Sequence, residues 1–436
     1  MDDKKINKNM KHLLLLLIVL SIHTIAQNKK HILLMNGVAH IGNGEVLENS
    51  YIAINDGKIE LVADARLTKI DISKFDTTIN VYGKHIYPGL IAPNCIIGLQ
   101  EAEAVRATND YAEVGEFNPH IRSLIAFNTD SKILETVKAN GVLYVQSTPR
   151  NGVISGTSSV LATDGWNWED AVIKTDDGIH LNFPTSIQKN GLLSDPLPSD
   201  KNNRYNEDLK SLKTFFENAF AYYNTTTPIE INLRYEAMKG LFLGSKTLYI
   251  HTDYVKDIIT AVNFSKQFNV KKTVIVGGKD SYKVTSLLRQ NNIAVMLNRL
   301  HDLPDLPEAE IDLIYKLPFL LQKDSVLFCL QNQGDMEAMN ARNIAFLAGT
   351  AAAYGLTKEQ ALQSITLNSA KILGIDKLVG SIEVGKLASI IVSVGDVLDM
   401  KTNTIILAYI SGRQIKLSNF QNDLYKKYSD KFGIKE

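Results

Sequence analysis

His85-Ile-Tyr-Pro-Gly-Leu-Ile-Ala-Pro-Asn-Cys-Ile-Ile-Gly98 is the stretch on which the reading of this chain turns. It has an extended entry, a Pro-Gly turn at Pro88-Gly89, and an apolar strand running from Leu90 into Ile97. With 436 residues, the chain is long enough for a large barrel plus a satellite. Hydrophobic residues make up 45% and charged residues 22%, the balance of a globular protein. Lys+Arg and Asp+Glu both number 47, so no charge excess points to nucleic acid.

Upstream of that stretch, the pattern is short strands separated by turn signals. Asn55-Asp-Gly57 sits between Tyr51-Ile-Ala-Ile54 and Lys58-Ile-Glu-Leu-Val62, a strong hairpin signal. The C-terminus echoes it, with strands expected at Ala388–Val394 and Thr404–Ile410 and a turn at Ser411-Gly412. Both ends are therefore expected to build one small β-sandwich domain.

Further upstream, residues 1–26 read as an export signal. Lys4, Lys5, Lys8 and Lys11 precede an apolar run from Leu13 to Ile22, and Thr24 and Ala26 are small residues before Gln27. A run of ten cannot span a bilayer core about 30 Å thick as a helix. The expected location is periplasmic or secreted, with no membrane span once the signal is removed.

Downstream, residues 86–377 alternate strands with helices. Expected strands are Gly141–Gln146, Thr247–His251, Thr273–Val276, Ile293–Leu297 and Val326–Leu330. Expected helices include Ser131–Asn140, Tyr254–Phe268, Ser281–Asn291 and Lys358–Leu367. Leu193–Asn224 reads as an inserted loop followed by a helix. The fold class is α/β, a TIM-type (β/α)8 barrel, with a Rossmann-like open sheet as competitor. The expected organisation is a signal over 1–26, β-domain over 27–85, barrel over 86–377, and β-domain plus tail over 378–436.

These motifs resemble the imidazolonepropionase-like branch of the amidohydrolase superfamily. The resemblance rests on Pro88-Gly-Leu-Ile91, Gly141-Val-Leu-Tyr-Val145 and Asn151-Gly-Val-Ile-Ser-Gly156. It also rests on Asn343-Ile-Ala-Phe-Leu-Ala-Gly349, Thr366-Leu-Asn-Ser-Ala-Lys-Ile-Leu-Gly374 and Gly380-Ser-Ile-Glu-Val-Gly-Lys386. Members usually read Pro-Gly-Leu-Ile-Asp-x-His-x-His at the first strand, and those histidines hold a catalytic metal such as zinc. The resemblance implies hydrolysis of a non-peptide C–N bond, in a cyclic amide or a dipeptide-like substrate.

The ligand positions that the resemblance implies are mostly altered here. Asn94 and Ile96 replace the first-strand histidines, and a hydrocarbon cannot donate electrons to a metal. His251 matches the fifth-strand histidine and is the one ligand retained; a lone strand-end histidine is more often a hydrogen-bonded barrel residue. The sixth-strand histidine falls at Gly277, where the Gly277-Gly278 pair reads as a tight turn before it reads as an anion cradle. Gln331 or Asn332 stands where the last-strand Asp is expected, and an amide cannot shuttle a proton. Asp335 reads as a turn residue rather than a displaced substitute.

Other chemistries find weaker support. Ser155-Gly-Thr-Ser-Ser-Val160 lacks the second glycine of a nucleophile elbow. Cys95 and Cys329 read as buried free thiols. The charged stretch Glu101, Glu103, Arg106, Asp110 and Glu113 reads as a solvated loop, or as a rim that meets a ligand. Trp166 and Trp168 read as packing residues.

The resulting expectation is an exported amidohydrolase-like protein with no resident cofactor, where intact relatives hold zinc. Its role would be a non-catalytic ligand-binding or partner subunit. A small-molecule ligand, a homo-oligomer, or a complex with an intact amidohydrolase relative would be its partners. The alternative is an active hydrolase with an altered or metal-free site around Asn94, His251 and Gln331 or Asn332.

Overall fold

A computed structural model describes residues 30–189, 199–304 and 309–434, so the signal segment over 1–26 lies outside the described residues. The N-terminal arm forms β1 (Ile32–His40), β2 (Val46–Asn55), β3 (Lys58–Asp64), β4 (Thr77–Asn80) and β5 (His85–Pro88). The turn between β2 and β3 puts Asp56 at φ +50° and Gly57 at φ +80°, both left-handed, as a two-residue hairpin requires.

Beyond Gly89 the chain enters the barrel sheet: β6 (Leu90–Cys95), β7 (Val142–Ser147), β8 (Ile154–Ala162) and β9 (Val172–Asn182). A small hairpin, β10 (Ile187–Lys189) with β11 (Ser199–Lys201), leads to the helix Tyr205–Tyr223. The sheet resumes with β12 (Thr247–Thr252), β13 (Thr273–Gly277), β14 (Ala294–Leu297) and β15 (Phe328–Leu330). Helices Lys132–Ala139, Val255–Gln267 and Leu313–Lys323 alternate with these strands, and the strand and helix expectations for this region match within a few residues. The exception is Ser281–Asn291, which begins as a 3-10 turn and becomes α-helical only from Thr285.

The eight strands run in the order β6 to β9 and β12 to β15 in one nearly closed sheet. Helix Leu367–Leu373 packs on both β6 and β15, the two end strands. One strand departs from the parallel rule, since β8 is antiparallel to both β7 and β9. The run Ile154-Ser-Gly-Thr-Ser-Ser-Val-Leu-Ala162 is rich in residues that commonly form loops, yet all nine are buried. Between β8 and β9 lies only a single helical turn, Trp168–Ala171, in place of a crossover helix. Trp168 is half-buried against the barrel core, but Trp166 is exposed, which corrects its expected packing role.

The C-terminal strands β16 (Ile390–Ser393), β17 (Ile405–Ile410) and β18 (Arg413–Gln414) return to the first sheet. There β16 pairs antiparallel with β5, matching Ile390 to Pro88, so both ends of the chain share one eight-stranded sheet. Ile32, Leu34, Ile52, Ile86, Ile390 and Tyr409 form its own core. A final helix, Phe420–Phe432, follows. Among the described residues no helix is long and apolar enough to cross a membrane.

Candidate functional site

Because the barrel strands converge at their C-terminal ends, the residues there share one mouth. A cavity of about 560 Å³ opens at that end, over the ends of β9, β12 and β13. His251, Gly277, Asn298 and Gln333 are among its lining residues. Asn182, Asp253 and Asp302 add further polar groups, and no lysine or arginine lines it among the described residues.

Asn94 is fully buried at an irregularity in the β6–β7 register, with φ +49°. Pro93 can donate no ladder hydrogen bond, and asparagine tolerates the left-handed region, so the pair makes a local kink. Asn94 N donates to Gln146 Oε1 at 3.0 Å, and its Nδ2 donates to Gln333 Oε1 at 2.9 Å. Arg150 Nη1 donates to Asn94 Oδ1 at 3.0 Å and its Nη2 donates to Asn94 O at 2.9 Å.

That guanidinium also pairs with Glu337, Nη2 to Oε1 at 3.0 Å, with both side chains mostly buried. Burial pushes the Glu337 carboxyl up, against the pull of Arg150 and of backbone donors at Gly334 and Ile96. Ile96 itself is buried in the barrel core. At the first strand, the mouth thus presents an amide, Asn94, and a buried hydrocarbon, Ile96, beside a fixed Arg–Glu pair.

His251 ends β12, and its Nε2 lies 2.9 Å from His180 Nδ1. His180 Nε2 in turn lies 3.0 Å from Ser158 Oγ, which donates to Asp177 Oδ1 at 2.7 Å. Asp177 is fully buried and also accepts from Tyr249 OH at 2.7 Å and Gln146 Nε2 at 2.9 Å. Burial pushes the Asp177 carboxyl up while these donors pull it down. The chain of contacts closes on itself: Gln146 returns to Asn94, Asn94 reaches Gln333, and Gln333 hydrogen-bonds His251. Burial holds His251 down at about 3, with Arg150 adding to the effect, and holds His180 well below its usual value. Both rings are neutral at pH 7.

The structure connects Asn94, His251 and Gln331 through Gln333, whose N–H donates to Gln331 Oε1 at 2.6 Å. Gln331 Nε2 is bound to Asn298 Oδ1. Gly277 lines the cavity at φ +100°, and a Cβ there would meet Asp253 Oδ1 at 2.5 Å. Asn332 is buried beside the strand end, with its Nδ2 unpartnered among the described residues. Asp335 is exposed. The sequence reading missed Gln146, Arg150, Asp177, His180, Gln333 and Glu337. The signal for His180 was a second histidine at a strand end, but β9 went unread as a strand.

A zinc site needs about four converging N, S or O donors, with neutral imidazole or ionised carboxylate among them. Among the described residues no group of three His, Cys, Asp or Glu is placed to hold an ion. The two imidazoles His180 and His251 face each other, and the buried carboxylates of Asp177 and Glu337 are engaged by Tyr249, Ser158 and Arg150. These side chains do not fit the zinc that the resemblance implies. Cys95 and Cys329 are both buried and free.

Comparison with known proteins agrees with this frame. Residues 316–415 match the amidohydrolase family. An imidazolonepropionase from Shewanella frigidimarina is 39% identical over 83 residues, 19% of this chain and 18% of that protein. One from Erwinia tasmaniensis is 24% identical over 176 residues, 40% of each chain. The chain therefore matches less than half the length of these relatives. Among solved structures, an amidohydrolase from Thermotoga maritima superposes with a TM-score of 0.75 at 24% identity, covering 88% of this chain and 99% of that one. An adenosine deaminase from Xanthomonas campestris with bound zinc superposes at 0.53 and 14% identity, covering 92% and 97%. A barrel with a polar mouth and a sheet from both termini defines the amidohydrolase type of fold. The chain has this fold, and its residues 316–415 are similar to the amidohydrolase family, with shorter stretches similar to imidazolonepropionases.

Proposed function

We propose that this is an exported amidohydrolase-superfamily protein that binds a ligand at its barrel mouth without metal-dependent catalysis. It would act as a binding or partner subunit, in the periplasm or outside the cell. The observation that carries this reading is the engagement of His251, the one retained ligand-type imidazole, with His180 and Gln333. Asn94, Ile96, Gly277 and Gln331 add no imidazole or carboxylate to it.

The mouth favours an uncharged or cationic polar ligand. Asn182, Asn298 and Gln333 present amides and Asp302 presents a carboxylate, and no lysine or arginine is among the lining residues that are described. Such a set suits amide and hydroxyl groups, consistent with a peptide-like or cyclic-amide ligand.

Metal analysis of the purified full chain is the test. The reading expects sub-stoichiometric zinc, manganese and iron, unchanged by His251→Ala. Stoichiometric metal lost on His251→Ala would overturn it in favour of an active hydrolase with an altered site. Co-purification with an intact amidohydrolase is expected for the partner role, and a strictly monomeric, unassociated protein counts against it.

A further inference from the structure

At the opposite end of the barrel from the mouth lies a second polar cavity, of about 360 Å³. Its walls include Thr247, Thr273 and Ala294, the first residues of β12, β13 and β14. Lys266, Lys271, Lys272 and Lys371 also line it, and among the described residues no aspartate or glutamate does. Three segments supply these lysines: the end of helix Val255–Gln267, the loop into β13, and helix Leu367–Leu373.

All four lysines are exposed. Lys271 Nζ reaches Asn269 Oδ1 at 3.4 Å, and no other side-chain hydrogen bond or ion pair involves any of the four among the described residues. Elsewhere on this protein lysines do find carboxylates, as Lys138 does with Asp164 and Lys358 with Asp396. Four unneutralised cations around one concavity repel one another and focus a positive potential into it.

We infer that this cavity is an anion-binding site for a small molecule carrying two or more phosphate groups. An ammonium group is a compact point charge with three donors on a flexible stem, suited to phosphate oxygens approached from several directions. The volume falls at the lower end of the roughly 300–1,000 Å³ range of small-molecule pockets. A concave site fits a discrete ligand better than a flat membrane or a nucleic-acid backbone, and the chain's balance of 47 basic and 47 acidic residues gives no broad field for either. The site is separate from the barrel mouth, so its fate and that of the mouth reading are independent.

The test is isothermal titration of the full chain with inorganic triphosphate, with inorganic phosphate as the weaker comparison. Saturable one-to-one binding to triphosphate is expected, weakening as salt is raised. The double variant Lys271→Gln/Lys371→Gln is expected to bind at least tenfold more weakly. Lys426→Gln/Lys427→Gln, on the C-terminal helix, is expected to bind as the parent does. All four substitutions are at exposed positions, and circular dichroism checks that each variant folds. Absence of saturable binding, or equal loss in both double variants, would overturn the inference. So would binding to phosphatidylserine-containing vesicles without binding to triphosphate.

Discussion

His180 Nδ1 and His251 Nε2 face each other at 2.9 Å across the strand pair β9–β12, and both rings are held neutral by burial. In the unfolded chain each would take up a proton near pH 6.5. The fold resists that protonation, so their stabilisation is fully present above about pH 6.5. It is lost as pH falls toward about 3, the value His251 reaches in the fold. The expected slope is roughly 1.4 kcal/mol per pH unit for each histidine. Urea unfolding from pH 7 to 4 measures it, and His251→Gln should reduce the slope by about one proton.

Arg150 and Glu337 form a mostly buried pair that also fixes Asn94. Removing one partner leaves a charge without compensation, whereas removing both does not. Arg150→Met is expected to destabilise by about 3–5 kcal/mol, and Arg150→Met/Glu337→Gln by clearly less than that single change. A double-mutant cycle in urea reads the coupling; strictly additive effects would contradict the pairing.

Tyr249 OH donates to Asp177, a carboxylate enclosed on all sides. Tyr249→Phe keeps the ring and removes one donor from that group. The expected loss is about 1.5–3 kcal/mol, the range for hydrogen bonds to charged groups. Chemical denaturation of the variant measures it, and a neutral effect would contradict a stabilising hydrogen bond from Tyr249 to Asp177.

Gly277 ends β13 at the mouth, where its backbone is left-handed and Asp253 stands in the path of any side chain. Gly277→Ala should cost about 1–2 kcal/mol from backbone conformation alone, with the Asp253 contact adding to it. Gly277→His should cost more. A metal site rebuilt by Asn94→His, Ile96→His and Gly277→His is therefore expected to unfold at lower urea than the parent, rather than gain stability from zinc.

Much of the frame was legible because its signals are local. Asn55-Asp-Gly57 specifies a hairpin through two left-handed residues, and the helical spacing of Ile133, Leu134 and Val137 marks a buried face. Gly-Ser-Thr composition hid β8, because small polar residues that fill a barrel interior look the same as those of a solvated loop. Asn94, Ile96, His251, Gly277 and Gln331 could be singled out by motif phase, but not their contacts.

The sequence by itself determined that a strand follows Pro88-Gly89, that both termini carry the strands of a β-domain, and which side chains stand at the barrel strand ends. Those are properties of short segments and their order. Tertiary structure alone decided what those side chains do. Arg150 meets Glu337 across 187 positions and His180 meets His251 across 71, pairings that no local pattern encodes. Burial then sets their protonation, because removing water penalises a charge according to the enclosure that the whole barrel provides.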